Sequence, residues 1–287
     1  MAFNFDMRFL NVPPKKITRE SLIDFINDTS ATKRLCFAMR EQSMPLKEGY
    51  GKDVLKWFNL PFRDTIGPIL EEMLGIHVCS RKDGIGCYYP CKKVEEVHAL
   101  QQFVDKYRSV VFLRDKLDLS IALSMRELEV ESGARTYLGQ LEYLVKYEDD
   151  VDRTGEKEEL VKAFESILSD FPFFKYADYI CAVPSSKNFM RDIAARLNRF
   201  PDISSAVCWA DKQHVAKNTE DGMTKFEMLE HSGFAIDSAV DLKNKSVLLI
   251  DDLYRSGITM QYIAMKLKEA GASRVFGIAI IKGLRNK

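Results

Sequence analysis

Between Ser246 and Leu267 the chain reads SVLLIDDLYRSGITMQYIAMKL, and this stretch holds the residue types best placed for chemistry. The apolar run Ser246 to Ile250 predicts a strand covered on both faces, as strands of parallel sheets are. It delivers two adjacent carboxylates, Asp251 and Asp252, to the strand's carboxyl end, the edge at which open α/β sheets bind ligands. A small-residue turn follows and a helix begins at Thr259. The backbone N–H groups of Ser256, Gly257, Ile258 and Thr259 can converge there on one anion, helped by two hydroxyls and the positive end of the helix macrodipole. A phosphate fits such a cup. Ionised carboxylates only accept hydrogen bonds, so beside a phosphate they suit neighbouring sugar hydroxyls, and Asp251 and Asp252 can also help hold Mg²⁺ directly or through water. The whole describes a site for a ribose phosphate. An acidic helix cap and a turn glycine would explain single residues of the pattern, but not all of them together.

A second cluster, His77, Cys79, Cys87, Cys91 and His98, contains ligand types that could hold zinc. Its spacing argues otherwise. Seven residues separate Cys79 from Cys87, three separate Cys87 from Cys91, and no Cys-x-x-Cys pair occurs. Core thiols and surface histidines are the simpler reading, and nothing marks one of these cysteines as an activated nucleophile.

Helices and strands must position these groups. Periodicity at three and four predicts short helices over Ser21 to Asn27, Ala31 to Gln42, Val54 to Phe58 and Ile66 to Leu74, with Gly75 as a stop and a further helix from Val94 to Tyr107. Val110 to Leu113 reads as a short strand, and Asp115 to Glu131 has no assignable period. From Thr136 the alternation is plainer. A helix over Leu138 to Val145 and another over Glu158 to Leu168 precede the strand DYICAV (Asp178 to Val183), the helix Phe189 to Phe200 and the strand Ala206 to Trp209. The strand Ser246 to Ile250, the helix Thr259 to Ala270 ended by Gly271, and the strand Val275 to Ile281 follow. Strands alternating with helices imply an α/β fold with a mostly parallel sheet. Residues 1–135 are expected to form a mainly helical region, and 136–287 the α/β domain.

The segment VLLIDDLYRSGIT resembles the signature of the type I phosphoribosyltransferase family: an apolar strand, two acidic residues and a Thr/Ser-Gly-x-Thr loop. The layout looks most like the branch that contains the competence protein ComF, through LVKYEDD, KEELVKAFESIL, DYICAVPSS, DIAARLNRF, DKQHVAK and HSGFAID in that order. The likeness covers about half of the chain. It departs from the branch in lacking the paired-cysteine spacing upstream and in carrying KFEMLE where a mobile loop usually has arginine and asparagine. The resemblance implies a flanking-helix parallel sheet that binds phosphoribosyl pyrophosphate with Mg²⁺. It implies pyrophosphate contacts from the loop after the first strand, here Ser185, Ser186 and Lys187, and a role for Arg255 beside the leaving pyrophosphate. Asp251, Asp252 and Arg255 are then the expected catalytic group. Ser256, Gly257, Ile258 and Thr259 would hold the 5-phosphate, joined by Tyr254, whose ring reads also as packing. Residues 210–232, with Lys212, Gln213, His214, Lys217 and Lys225, would form a hood.

The totals are neutral toward these readings and exclude others. The 287 residues are 46% hydrophobic, and 42 Lys and Arg balance 42 Asp and Glu, so no global field favours nucleic acid or an anionic membrane. The opening residues lack an export signal and no segment has eighteen unbroken apolar residues, which predicts a cytoplasmic protein with reduced thiols. Two functions remain open at this point. One is an enzyme that transfers or cleaves a 5-phosphoribosyl group. The other is a non-catalytic nucleotide sensor or effector subunit, working through a protein partner of the N-terminal region or through nucleic acid, as in bacterial antiphage defence. A homo-oligomer is compatible with either.

Overall fold

In a computed structural model, residues 13–30, 32–51, 53–129, 133–148, 151–185, 187–210, 219 and 221–284 are described. In chain order the elements begin with α1 (Arg19–Asn27), β1 (Arg34–Cys36), β2 (Leu46–Glu48), β3 (Lys56–Leu60), α2 (Ile66–Leu74), β4 (Cys79–Ser80), β5 (Cys87–Cys91), α3 (Val94–Lys106), β6 (Val111–Leu113) and β7 (Leu119–Met125). They continue with α4 (Tyr137–Tyr147), α5 (Thr154–Asp170), β8 (Tyr179–Ala182), α6 (Phe189–Leu197), β9 (Val207–Trp209), α7 (Gly222–His231), β10 (Phe234–Ile236), β11 (Ser246–Tyr254), α8 (Ile258–Glu269) and β12 (Arg274–Lys282). The chain divides into two compact units, Thr29–Arg114 and the remainder from Pro14, which includes Pro14–Asp28 and residues 115–284.

The unit 29–114 is mixed α/β where a mainly helical region was expected. Its largest element is a four-stranded antiparallel sheet in the order β2-β3-β5-β4. Of the helices expected over 31–42 and 54–58, residues 32–42 instead supply β1 with a 3₁₀ turn and residues 54–58 most of β3. Alternate residues of β3 and β5 fall on a buried face: Phe58, Leu60, Cys87 and Cys91 are covered. Helices α2 and α3 form as expected, and Gly75 ends α2 in the left-handed conformation, φ 65°, where glycine carries no steric cost.

In the second unit β7, β12, β11 and β8 lie side by side, all parallel. Strand β7, LSIALSM, is buried at every position, and its two serines interrupt the apolar run that would have marked it in the sequence. The compact boundary accordingly falls before β7, between Arg114 and Asp115, and not at 135/136. The strand Ala206 to Trp209 stands apart from the parallel sheet. As β9 it pairs antiparallel with β10, and Trp209 stacks on Tyr262 of α8 with ring centroids 6.1 Å apart.

The amino edge of the sheet is pinned by charge. Asp118, just before β7, accepts from the N–H of Lys15 and of Val275, each at 2.7 Å, and faces the ammonium of Lys268 at 2.8 Å. Both side chains are almost wholly buried, 2% and 10% exposed. Removing one member of such a pair strands the other charge. Asp118→Ala is expected to cost about 3–5 kcal/mol of unfolding free energy, measured by urea denaturation. A loss below about 1 kcal/mol, the size of an exposed pair, would contradict this placement.

Candidate functional site

Strand β11 runs past the end of its neighbour β8. Ile250 pairs with Ala182, the last residue of β8, and its carbonyl accepts from the N–H of Val183 at 2.9 Å. Asp251 and Asp252 therefore stand beyond β8, at the carboxyl edge, while β12 continues beside them as far as Lys282. The β8–α6 loop, with Ser185 and Lys187, leaves the sheet on the adjacent strand and is exposed. The Ser185 hydroxyl donates to the carbonyl of Lys187 at 2.5 Å, and the indole N–H of Trp209 holds the Pro184 carbonyl at 3.1 Å. Ser186, Lys212, Gln213, His214 and Lys217 lie outside the described residues.

Successive residues of a strand face opposite sides of the sheet. A Cβ on Gly277 would meet Met260 of α8 at 2.8 Å, and Gly277 pairs with Leu249, so Asp251, two residues on, shares the α8 face. Asp252 faces the other way, where the ammonium of Lys146 on α4 reaches its Oδ2 at 2.6 Å and Oε1 of Glu142 at 3.4 Å. Burial raises the Glu142 carboxyl, opposed by Lys146. Burial also pulls Lys146 down, but Asp252 and Glu142 outweigh it and its pKa ends above the ordinary value. Asp251 is pushed up to about 8, first by burial and then by Asp252, against the pull of Lys146, the Asp252 N–H at 2.9 Å and Lys225. Lys225 belongs to α7, and burial depresses its pKa with only partial relief from Asp251.

The turn into α8 has an open side and a supported side. Among the described residues, no hydrogen bond occupies the N–H groups of Ser256, Gly257, Ile258 and Thr259. These are the donors that a helix start leaves over. Arg255 is exposed, and Ser256 and Thr259 are half-buried. Beneath them Tyr254 is 3% exposed and donates its hydroxyl to Oδ2 of the buried Asp115 at 2.8 Å. It supports the loop from below, the packing half of its expected role. Gly257 sits at φ 75°, and a Cβ there would fall 2.0 Å from the Tyr254 hydroxyl oxygen, so both conformation and space demand glycine.

The structure thus gathers Asp251, Asp252, Ser256, Gly257, Ile258 and Thr259 at one edge, with Ser185 and Lys187 on the neighbouring strand's loop. It adds four residues that periodicity did not single out as functional: Lys146, Glu142, Asp115 and, as a partner of Asp251, Lys225. Lys146 stood in LVKY and Lys225 in the expected hood, but neither was assigned to a carboxylate. Among the described residues no three His, Cys, Asp or Glu side chains converge as a metal cage. In the cysteine window Cys87 is buried and donates its thiol to the Phe62 carbonyl at 3.2 Å, whereas Cys79 is exposed. No described helix is long and apolar enough to cross a membrane.

No family model matches the chain, and no curated protein matches it. Among solved structures, a hypoxanthine phosphoribosyltransferase from Staphylococcus aureus aligns with 46% of this chain at 17% identity and a TM-score of 0.30. The match spans 65% of that chain, less than two thirds of its length. A likeness this distant carries no weight beside the geometry above.

The raised carboxyl makes a prediction about stability. With Asp251 at about 8 in the folded chain and about 4 when unfolded, the native state binds the extra proton between those values. Stability contributed by the protonated group is complete below about pH 4 and lost as pH rises through about 8. Thermal melts across that window should show Asp251→Asn gaining on wild type as pH rises. Parallel curves would show that Asp251 is not held in this environment.

Proposed function

We propose that this chain has a phosphoribosyltransferase-type domain that binds phosphoribosyl pyrophosphate or a nucleotide at the β11–α8 turn and transfers or cleaves a 5-phosphoribosyl group with Mg²⁺. One observation carries the reading: four uncommitted N–H groups at the start of a helix stand beside two carboxylates at the carboxyl edge of a parallel sheet. The N–H groups of Ser256 to Thr259 and the hydroxyls of Ser256 and Thr259 fix the 5-phosphate, so that remote binding energy orients the sugar. Asp251 and Asp252 accept from the ribose hydroxyls, and their negative field favours positive charge developing on the sugar ring. No protein nucleophile is required. Ser185, Ser186, Lys187 and Arg255 supply donors and positive charge for the pyrophosphate.

The residues present fit Mg²⁺ as that ion is usually held, by one or two carboxylates together with ligand phosphates and not by a cage of protein groups. Asp251, raised by burial and by Asp252, is the carboxyl that a nearby cation would relieve, with Asp252 as its companion. When bound, the metal neutralises charge on the departing pyrophosphate.

A second reading, a nucleotide sensor without turnover, is favoured by Lys146, which already holds Asp252 at 2.6 Å. A ligand that only displaces this contact would be read out by a protein or nucleic-acid partner. Product formation from phosphoribosyl pyrophosphate separates the two readings.

Asp252→Asn preserves volume but removes charge and acceptor capacity, and a lost charge-assisted hydrogen bond costs on the order of 1.5–3 kcal/mol. Titration calorimetry with Mg²⁺ should show phosphoribosyl pyrophosphate bound about ten- to a hundredfold more weakly, with the fold intact by circular dichroism. Arg255→Ala should weaken pyrophosphate-bearing ligands more than a nucleoside monophosphate. Wild type that binds neither ligand at millimolar concentration would overturn the proposal, and an Asp252→Asn that binds as wild type does would remove the ribose contact from it.

A further inference from the structure

The four-stranded antiparallel sheet in residues 29–114 has one face accounted for and one not. Phe58, Leu60, Cys87 and Cys91 fill the inner face. Pairing fixes what alternates outward: Lys47, Trp57 and Pro90 share one rung, and Asn59, Tyr88 and Cys79 the next. Pro90 is the one aliphatic side chain among them, and two of them are large aromatic residues. Tyr50, 80% exposed, extends the row from the β2–β3 connection. Its ring lies 5.9 Å from that of Trp57, which lies 5.4 Å from that of Tyr88.

Charge around this row departs from that of the chain. Residues 46–60 and 79–93 hold seven Lys and Arg against three Asp and Glu, in a sequence whose totals balance. Two of the three acids are spent locally. Glu48 pairs with Lys56, and Asp83 accepts from the N–H groups of Ile85 and Gly86, each at 2.9 Å. The Arg81 guanidinium is steadied at the edge of the aromatic row by Oδ1 of Asn59, 3.0 Å away, and Lys47 and Lys82 are exposed.

A row of rings, Tyr50 exposed and Trp57 and Tyr88 half-buried, with cations around it matches a ligand that alternates flat π-faces with negative charge. Protein interfaces share the enrichment in aromatic residues and arginine but are depleted in lysine, whereas this face keeps Lys47 and Lys82 exposed beside its rings. A duplex hides the faces of its bases, so the rings suit unstacked bases. We propose that this sheet face binds single-stranded nucleic acid, stacking bases on Tyr50, Trp57 and Tyr88 and holding phosphates with Lys47, Arg81 and Lys82. The proposal is independent of the ribose phosphate site.

The test is fluorescence anisotropy of labelled single-stranded RNA and DNA of about 15 nucleotides, long enough to cover one aromatic platform, and of the matching duplex, titrated with the full chain. Single strands should bind more tightly than duplex. Affinity should fall roughly twentyfold between about 50 and about 200 mM salt if three phosphates are held. Trp57→Ala should weaken binding at least about fivefold, the lower end for loss of one stacked base, and Trp57→Phe should recover most of it. Arg81→Ala should flatten the salt dependence. Thermal melts establish that each variant is folded. Wild type that leaves every oligonucleotide unbound at low salt would overturn the proposal, as would Trp57→Ala binding at the wild-type level. Self-association lost in Trp57→Ala, without oligonucleotide binding, would assign the face to a second copy of the chain and overturn it equally.

Discussion

A strand that ends in two consecutive carboxylates cannot be covered by apolar side chains alone. Pleating sends Asp251 and Asp252 to opposite faces of the sheet, so each face must bring its own answer to the charge it receives. On one face α4 brings Lys146, within 2.6 Å of Asp252. On the other α7 brings Lys225 toward Asp251. The two answers differ in quality. Lys146 gains more from its two carboxylates than it loses to burial, while Lys225 does not recover its loss from Asp251. The α4 side is consequently a settled ion pair, and the α8 side carries the strain, expressed as a carboxyl raised to about 8. Desolvation commonly outweighs attraction when charges leave water, and here it does so for Asp251 and for Glu142, while Lys146 gains more than it loses.

That asymmetry explains the build of the neighbouring turn. With Asp251 and Asp252 fixed at the strand end, the chain must reverse within a few residues to start α8, and Gly257 supplies the left-handed conformation that allows it. Tyr254 fills the volume beneath, anchored through its hydroxyl to Asp115, so the turn rests on a hydrogen-bonded floor, and among the described residues no hydrogen bond takes its N–H groups. Burial raises both Asp115 and Tyr254 in pKa.

The parts that were legible in the sequence are those in which a single rule dominates. The strand β11 and the helix α8 announce themselves through an unbroken apolar run, a glycine turn and a clear helical period, and the acidic pair follows by position. Short elements under two competing rules were not legible. Residues 54–58 have apolar spacing compatible with a helical turn, yet pairing with β2 and β5 makes them a strand, a decision taken by distant residues. Strand β7 hid behind Ser120 and Ser124, small enough to be buried without looking apolar. The pairing of Lys146 and Lys225 with carboxylates was obscured for another reason. Periodicity treats lysine as a solvent-facing residue, and only the approach of another element shows that an ammonium is answering a carboxylate.

The ion pair on the α4 face also bears on how the proposed site would fill. A ribose hydroxyl that reaches Asp252 competes with Lys146 for the same oxygen, which at first counts against binding. The ligand nonetheless carries phosphate, and an ammonium released from one anion beside another loses little. Glu142 keeps hold of the lysine from 3.4 Å during the exchange, so Lys146 need not be left buried without a counter-charge, the state that costs most. On the other face a cation arriving with the ligand would draw the proton from Asp251 and turn an acid raised by burial into the ionised acceptor that a sugar requires. Both faces thus favour a ligand that brings hydroxyls together with charge, because hydroxyls alone would displace Lys146 without giving it a new partner.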